Sequence, residues 1–424
     1  MAEKIQSVKG MHDILSDRSS DWQYMEETIQ SVLNRYGYQE VRTPIAEKTE
    51  LFERSLGETT DIVSKEMYSF SDLGGDRLTL RPEGTAGTVR SLLQHSQYQN
   101  SPLRLWYCGP MFRRERPQKG RLRQFHQVGA EVYGLSGPDI DAELIAICAR
   151  LWKKLQIPDL ELQINTLGSS EARQHYRQVL VDYFSDHETS LDDDSKVRLQ
   201  KNPLRILDSK NPDMRALIDA APGMAEHMDA QSMDHFNELQ ALLTNINIKY
   251  IVNPRLVRGL DYYSNTVFEW VSDKLGAQGA VCAGGRYDGL LEYFSGKRIP
   301  GIGFAMGLER LIELLPRSDN REDRQKPHAY LIIAGDSVLS AGFSLAEKLK
   351  DELPQLRLVM HCGGGSFKSQ FKKADKSGAD IALILGEDEL EKQTIGLKPL
   401  RREAGQIELS WDKLRDALRL ELKL

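Results

Sequence analysis

Residues 104–134 read RLWYCGPMFRRERPQKGRLRQFHQVGAEVYG. The apolar and aromatic run at 105–112 has the make-up of a buried strand. A loop comes next, with Arg113, Arg114, Arg116, Lys119, Arg121 and Arg123, interrupted by Pro117 and Gly120. The chain returns over 125–133, where Gln127, Gly129 and Glu131 alternate with apolar neighbours. Period-two alternation puts Gln127 and Glu131 on one face of a sheet. So many cations in one short hairpin repel one another unless an anion lies among them, and a polyphosphate or a nucleic-acid backbone fits. Arg113 and Glu115 fall on one side of the outgoing strand, and Phe125, where the return strand begins, suits stacking on a flat ring. A solvated basic loop is the plainer reading. The polar row on a core strand, costly without ordered partners, argues for a site.

The 424 residues are too many for one ordinary core, so two or three domains are expected. No apolar run approaches a membrane span, and MAEKIQSVKGMHD lacks the apolar centre of a signal peptide. Four cysteines (Cys108, Cys148, Cys282, Cys362) are scattered without C-x-x-C spacing, which predicts reduced thiols in a cytoplasmic setting. The nine histidines form no H-E-x-x-H, so a protein-bound transition metal is not expected. With a net charge of −6, binding to nucleic acid has to come from local basic patches.

Around the hairpin, helical spacing of Trp22, Met25, Ile29, Leu33 and Tyr36 predicts a helix over 21–36, and 38–45 reads as a strand ending at Pro44. LTLRPEGT at 78–85 runs from a strand into a polar turn. There Glu83 and Thr85 suit an ammonium group, or Glu83 simply caps the helix predicted from Thr85. Ile140, Leu144, Ile147, Cys148, Leu151 and Leu155 predict an amphipathic helix over 139–155, and a strand comes after it at 160–167. Residues 171–248 are charge-rich and punctuated by Asn202-Pro203, Asn211-Pro212 and Pro222-Gly223, which predicts a mostly helical insertion. RGLDYY at 258–263 leads into a strand at 266–271, and beyond that strand lie CAGGRYDGL at 282–290 and GIGFAMGLERLIELL at 301–315. PRSDNREDRQKP at 316–327 has no apolar residue and reads as a linker. Beyond it, alternating strands and helices predict a separate parallel-sheet domain. In that tail acidic and basic residues balance, and Lys368, Lys372 and Lys376 recur along one helix edge, with Phe367, Phe371 and Ala374 assigned to the core side.

FRRERPQKGRLRQFHQVGAE resembles the second of three motifs shared by class II aminoacyl-tRNA synthetases, and GFAMGLER resembles the third. The helix–strand–Pro unit at 21–45 matches the first in order, though weakly in residues. RGLDYY and AGGRYDGL resemble the histidine-specific strings of the histidyl-tRNA synthetases, and the similarity runs over essentially the whole chain. The resemblance implies an α/β protein: an α+β catalytic domain at 1–325 with a mainly antiparallel sheet flanked by helices, a helical insertion at about 171–248, and a C-terminal α/β anticodon-binding domain at 327–424. It also implies L-histidine, ATP with Mg2+, and tRNA(His) as partners, a homodimer, no organic cofactor, and neither membrane nor DNA.

The implied chemistry has two steps. The histidine carboxylate attacks the α-phosphorus of ATP and releases pyrophosphate; the terminal ribose of the tRNA then takes the histidyl group. By resemblance Arg113 holds the α-phosphate and the histidine carboxylate, Glu115 accepts from the adenine amino group, and Phe125 stacks on the ring. Arg310 clamps the γ-phosphate, Arg121 joins the ATP set, and Arg258 adds a cation at the α-phosphate. Glu83, Thr85 and Gln127 hold the amino group, Glu131 and Tyr263 read the imidazole nitrogens, and Tyr262 lines the same pocket. Arg116, Gln118, Lys119, Arg123, Lys368, Lys372 and Lys376 are the candidates for tRNA. The other reading is a non-catalytic relative, either a regulatory subunit of ATP phosphoribosyltransferase or a tRNA-sensing module. Such regulatory subunits usually lack the tail and the ATP arginines, both present here.

Overall fold

Two matched strands joined by a short loop pair antiparallel, because a parallel pair needs a longer crossover. In a computed structural model of the chain, β5 (Leu103–Phe112) and β6 (Gln124–Tyr133) pair antiparallel from Leu103↔Tyr133 to Phe112↔Gln124 without a slip. The structure describes residues 4–57, 60–100, 102–118, 120–207, 209, 211–257, 262–318 and 326–423. The chain divides into two compact units, Met1–Arg317 and Ser318–Leu424.

In the first unit six more strands join this hairpin: β1 (Gln39–Glu40), β7 (Glu161–Thr166), β8 (Ile251–Val252), β9 (Ser264–Val271), β10 (Ala280–Arg286) and β11 (Gly301–Gly307). Together they form an eight-stranded sheet in the order β1-β5-β6-β11-β10-β9-β7-β8. Pairing is antiparallel except at the two edges, where β1 runs parallel to β5 and β8 parallel to β7. Val128, Ala130 and Val132 face a core shared with the helices Ser16–Arg35 and Pro138–Leu155. On the second helix Ile140, Leu144, Ile147, Cys148, Leu151 and Leu155 are all buried, as their spacing predicts; a buried leucine or isoleucine contributes about 1.5–3 kcal/mol. The opposite sheet face is left to Gln127, Glu131 and Tyr133. The described residues between β7 and β8 form helices, and Tyr176, Leu180 and Phe184 from that segment join a second core with Tyr133 and Tyr287.

The strand expected at 38–45 is much shorter: only Gln39–Glu40 pairs with β5. Pro44 lacks an N–H and suits a chain leaving the sheet edge. The Ile45 carbonyl already accepts from Arg81 N, and β2 (Ala46–Lys48) belongs to a small separate sheet with β3 (Tyr68–Ser71) and β4 (Arg77–Leu80).

The second unit carries a five-stranded sheet of β12 (Ala329–Ala334), β13 (Leu358–Met360), β14 (Ile381–Gly386), β15 (Thr394–Pro399) and β16 (Ile407–Ser410). The first three are parallel, as alternation with helices predicts, but β15 and β16 add antiparallel strands. The helix Phe367–Lys376 is turned differently from expectation. Gln370 and Ala374 are its buried residues, Phe371 is half-buried, and Phe367 is 46% exposed. The reason is a polar lock: Gln370 Oε1 accepts from Ile333 N at 2.9 Å, and its Nε2 donates to Ile333 O at 2.6 Å.

Candidate active site

A pocket opens on the sheet face of Gln127 and Glu131, beside the part that helices cover. Its lining includes Glu83, Thr85, Arg113, Glu115, Arg121 and Phe125, together with Gln127, Glu131, Tyr262, Tyr263, Tyr287 and Arg310. Residues scattered over more than two hundred positions therefore converge because strands β5, β6, β11 and β10 lie side by side.

One half of the pocket is acidic and aromatic. Glu131 is 1% exposed, and its two oxygens accept from different neighbours: Oε1 from the Thr85 hydroxyl at 2.7 Å and Oε2 from the Tyr287 hydroxyl. Burial pushes its carboxyl up to about 8, against the pull of those two donors. Glu83 serves the helix end and also faces the pocket. It caps the helix Thr85–Gln94, accepting from Thr85 N at 2.6 Å and Ala86 N at 2.8 Å, and it lines the pocket. Burial raises its carboxyl too, opposed by these backbone donors. Gln127 Oε1 accepts from Gly84 N at 3.2 Å and lies 3.4 Å from the Tyr107 hydroxyl. Tyr262, Tyr263 and Tyr287 form an aromatic wall, with ring centroids of Tyr262 and Tyr263 4.7 Å apart.

The glycine of β11 that faces Glu131 makes this arrangement possible. A Cβ at Gly303 would lie 1.7 Å from Glu131 Oε2, so Gly303→Ala should displace the carboxylate. For the substrates that the resemblance implies, the expected result is a histidine KM raised at least tenfold in pyrophosphate exchange, with the ATP KM within about twofold, since a hydrogen bond to a charged group is worth roughly 1.5–3 kcal/mol.

Glu131 also predicts a pH signature. Without a bound imidazole to stabilise the carboxylate, the folded protein keeps a proton there up to about pH 8, whereas an unfolded glutamate loses it near pH ~4.3. This contribution to stability is full below the unfolded value and is lost as pH rises through the folded one. Thermal midpoints of unliganded Glu131→Gln should therefore fall less between pH 5 and pH 8.5 than those of the unaltered chain. Parallel curves would deny the perturbed carboxyl.

The other half is basic. Arg113 donates from Nε to Pro82 O at 2.9 Å, and its guanidinium carbon lies 5.2 Å from the centroid of Phe125, a cation–π distance. Glu115 is buried, ion-paired with Arg121, and 3.9 Å from Arg113. Arg310, in the helix Leu308–Leu314, reaches back to the hairpin, donating to Gly120 O at 3.1 Å and to Ala280 O. Burial and then Arg121 pull the Arg310 guanidinium below its ordinary value, with Arg113 adding to the effect. Three cations crowded around one carboxylate make a field that an anion would relieve.

Of the remaining candidates, Arg116 and Gln118 are exposed at the hairpin tip. Arg123 is turned inward, donating to Glu115 O at 3.2 Å. Arg258 and Lys119 lie outside the described residues. Lys368, Lys372 and Lys376 are exposed on their helix in the second unit. Three contributors escape a reading of the sequence. Tyr287 sits inside AGGRYDGL, where nothing local sets it apart from its neighbours. Tyr107 lies beside Gln127. Glu309 accepts from His126 N at 2.9 Å and contacts its Nδ1 at 3.0 Å, pinning β6 to the segment that carries Arg310. Among the described residues no cluster of His, Cys, Asp and Glu is placed to hold a metal ion, and no helix is long and apolar enough to cross a membrane.

An antiparallel sheet whose open face joins a buried carboxylate pocket to a basic hairpin and a strand–helix arginine is the catalytic architecture of a class II aminoacyl-tRNA synthetase. The comparisons with known proteins narrow this. The histidyl-tRNA synthetase family profile matches residues 10–311, and an anticodon binding domain profile matches 328–421. A histidine–tRNA ligase of Hydrogenovibrio crunogenus is 55% identical over 422 residues, 100% of this chain and 99% of the relative. One of Alkalilimnicola ehrlichii is 55% identical over 418 residues, 99% and 97% of the two chains. The crystal structure of apo S. aureus histidyl-tRNA synthetase superposes with a TM-score of 0.82 at 32% identity, covering 98% of this chain and 100% of that one. The chain belongs to the histidyl-tRNA synthetase family.

Proposed function

We propose that the chain is a histidine–tRNA ligase, activating L-histidine with ATP and passing it to the 3′ terminal ribose of tRNA(His). One observation carries this best: the buried Glu131, Glu83 and Gln127 share a single pocket with Arg113, Glu115, Phe125 and Arg310. Histidine would enter with its charges matched at each end. Its ammonium meets Glu83, Thr85 and Gln127; its imidazole donates to Glu131 and is met on the other nitrogen by Tyr263. A site that pairs both ring nitrogens rejects isosteres lacking them, because its own buried polar groups would be stranded. The carboxylate then lies toward Arg113, beside the α-phosphate of an ATP whose adenine stacks on Phe125 and whose γ-phosphate is held by Arg310.

Transfer from phosphorus is governed by positioning and charge stabilisation. Arg113 and Arg310 supply fixed donors where charge develops, Arg258 is assigned a further cation there from the sequence alone, and Mg2+ accompanies ATP as part of the substrate. The tail, the exposed hairpin tip with Arg116 and Gln118, and Arg123 at its base are assigned to tRNA, with Lys119 added from the sequence alone. A homodimer belongs to the same proposal, supported by the exposed Phe70 on β3 and Leu73 in the turn after it. So does a cytoplasmic setting, supported by four free cysteines. A regulatory role would not require the basic half of the pocket. The deciding experiment is pyrophosphate exchange into ATP with and without histidine, then charging of tRNA(His); exchange that ignores histidine would reject the proposal.

A further inference from the structure

Arg286 touches no residue of the basic half of the pocket, yet it is the bulkiest of the fully buried side chains among the described residues. A guanidinium without water persists only when its donors are paired. Here Nε donates to Asp141 Oδ2 at 3.1 Å, Nη2 lies 2.6 Å from Asp141 Oδ1, Nη1 donates to Leu135 O at 3.0 Å, and Nη2 donates to Gly137 O. Asp141 is itself fully buried, and its Oδ2 also lies 2.8 Å from His235 Nε2. These bonds join the chain just past β6, the first turn of the helix Pro138–Leu155, and the last residue of β10.

The next residue is Tyr287, which reaches to Glu131 on β6 even though β11 lies between the two strands. It can do so because β11 is glycine where it is crossed: a Cβ at Gly301 would lie 2.6 Å from the Tyr287 ring. The hydroxyl–carboxylate contact therefore depends on the span between the ends of β6 and β10. An apolar pair could fill the space under that span with equal or better stability. A planar fork bound to a carboxylate and two carbonyls fixes a direction as well as a distance.

We propose that Arg286 is a positioning residue for amino-acid recognition: anchored on Asp141, it sets the β6–β10 span so that Tyr287 holds the Glu131 carboxylate toward the imidazole. This role rests on the proposed histidine activation. Its test is a double-mutant cycle of Tyr287→Phe and Arg286→Lys in the full-length chain, read as separate KM values for histidine and ATP in pyrophosphate exchange. Each single change should raise the histidine KM about tenfold or more, the size expected for losing a hydrogen bond to a charged group, and leave the ATP KM within twofold. The double variant should be no worse than the worse single one, because both act through the same contact. Three results would overturn it: a normal histidine KM in Tyr287→Phe, a parallel rise of both KM values in Arg286→Lys, or effects that multiply. If Arg286→Lys does not fold, Asp141→Asn takes its place in the cycle with the same readings. An unaltered chain without histidine-dependent exchange would instead bring down the proposed function itself.

Discussion

Arg113→Gln should slow histidine-dependent pyrophosphate exchange by about 10²–10³-fold in kcat, the loss usual for one fixed donor at a centre of developing charge. The side chain is held at its base: the Arg113 backbone N–H donates to Arg123 O at 2.9 Å, closing the hairpin, and Nε is fixed on Pro82 O. Only the outer part of the fork remains to meet substrate, placed between Phe125 and Glu115. Glutamine keeps a polar end but removes the charge and shortens the reach. Lysine restores charge without the planar fork, so Arg113→Lys should recover a small part of the rate. A solvated surface arginine would behave otherwise, with changes inside about threefold. An exchange rate for Arg113→Gln within tenfold of the unaltered chain would remove this residue from the chemistry.

Features that depend on neighbours along the chain are legible in the sequence. The hairpin is one, because period two and a cluster of cations are both local, and its ten-pair register comes from matching strands. The cap at Glu83 and the ligand role of Glu83 look like rivals in the sequence. The fold shows that they need not exclude each other, since the carboxylate accepts from two backbone N–H groups and still faces the pocket. Contacts that depend on the order of strands are not legible. Tyr287 meets Glu131 across 156 positions and Arg286 meets Asp141 across 145, and both come from placing β11 between β6 and β10. Gly303 shows the same limit: GFAMGLER announces close approach, but only the structure says that the Glu131 carboxylate is what approaches. The turn of the tail helix is hidden for a related reason, since Gln370 reads as polar surface until β12 supplies backbone groups for it to bind.

Removal of residues 318–424 should leave histidine-dependent pyrophosphate exchange measurable and reduce charging of tRNA(His) by orders of magnitude. All the described pocket residues lie in the first unit, and the second has its own sheet and its own buried clusters, so each has the means to fold separately. Some exchange would be lost if the tail also supports a dimer; loss of all exchange would mean that the catalytic unit cannot stand alone. Within the tail, Lys368, Lys372 and Lys376 lie exposed along one helix edge, and exposure alone does not separate a phosphate-binding edge from a solvated one. Salt dependence does. Each lysine that neutralises a phosphate releases counterions, so replacing all three by glutamine should weaken tRNA binding and flatten its salt dependence by roughly 0.7 log units per lost contact, taking the single-strand value. Exchange should be untouched, because the substitutions are confined to the second unit. If affinity and salt slope match those of the unaltered chain, these lysines are solvated surface and the tail must grip RNA by another face.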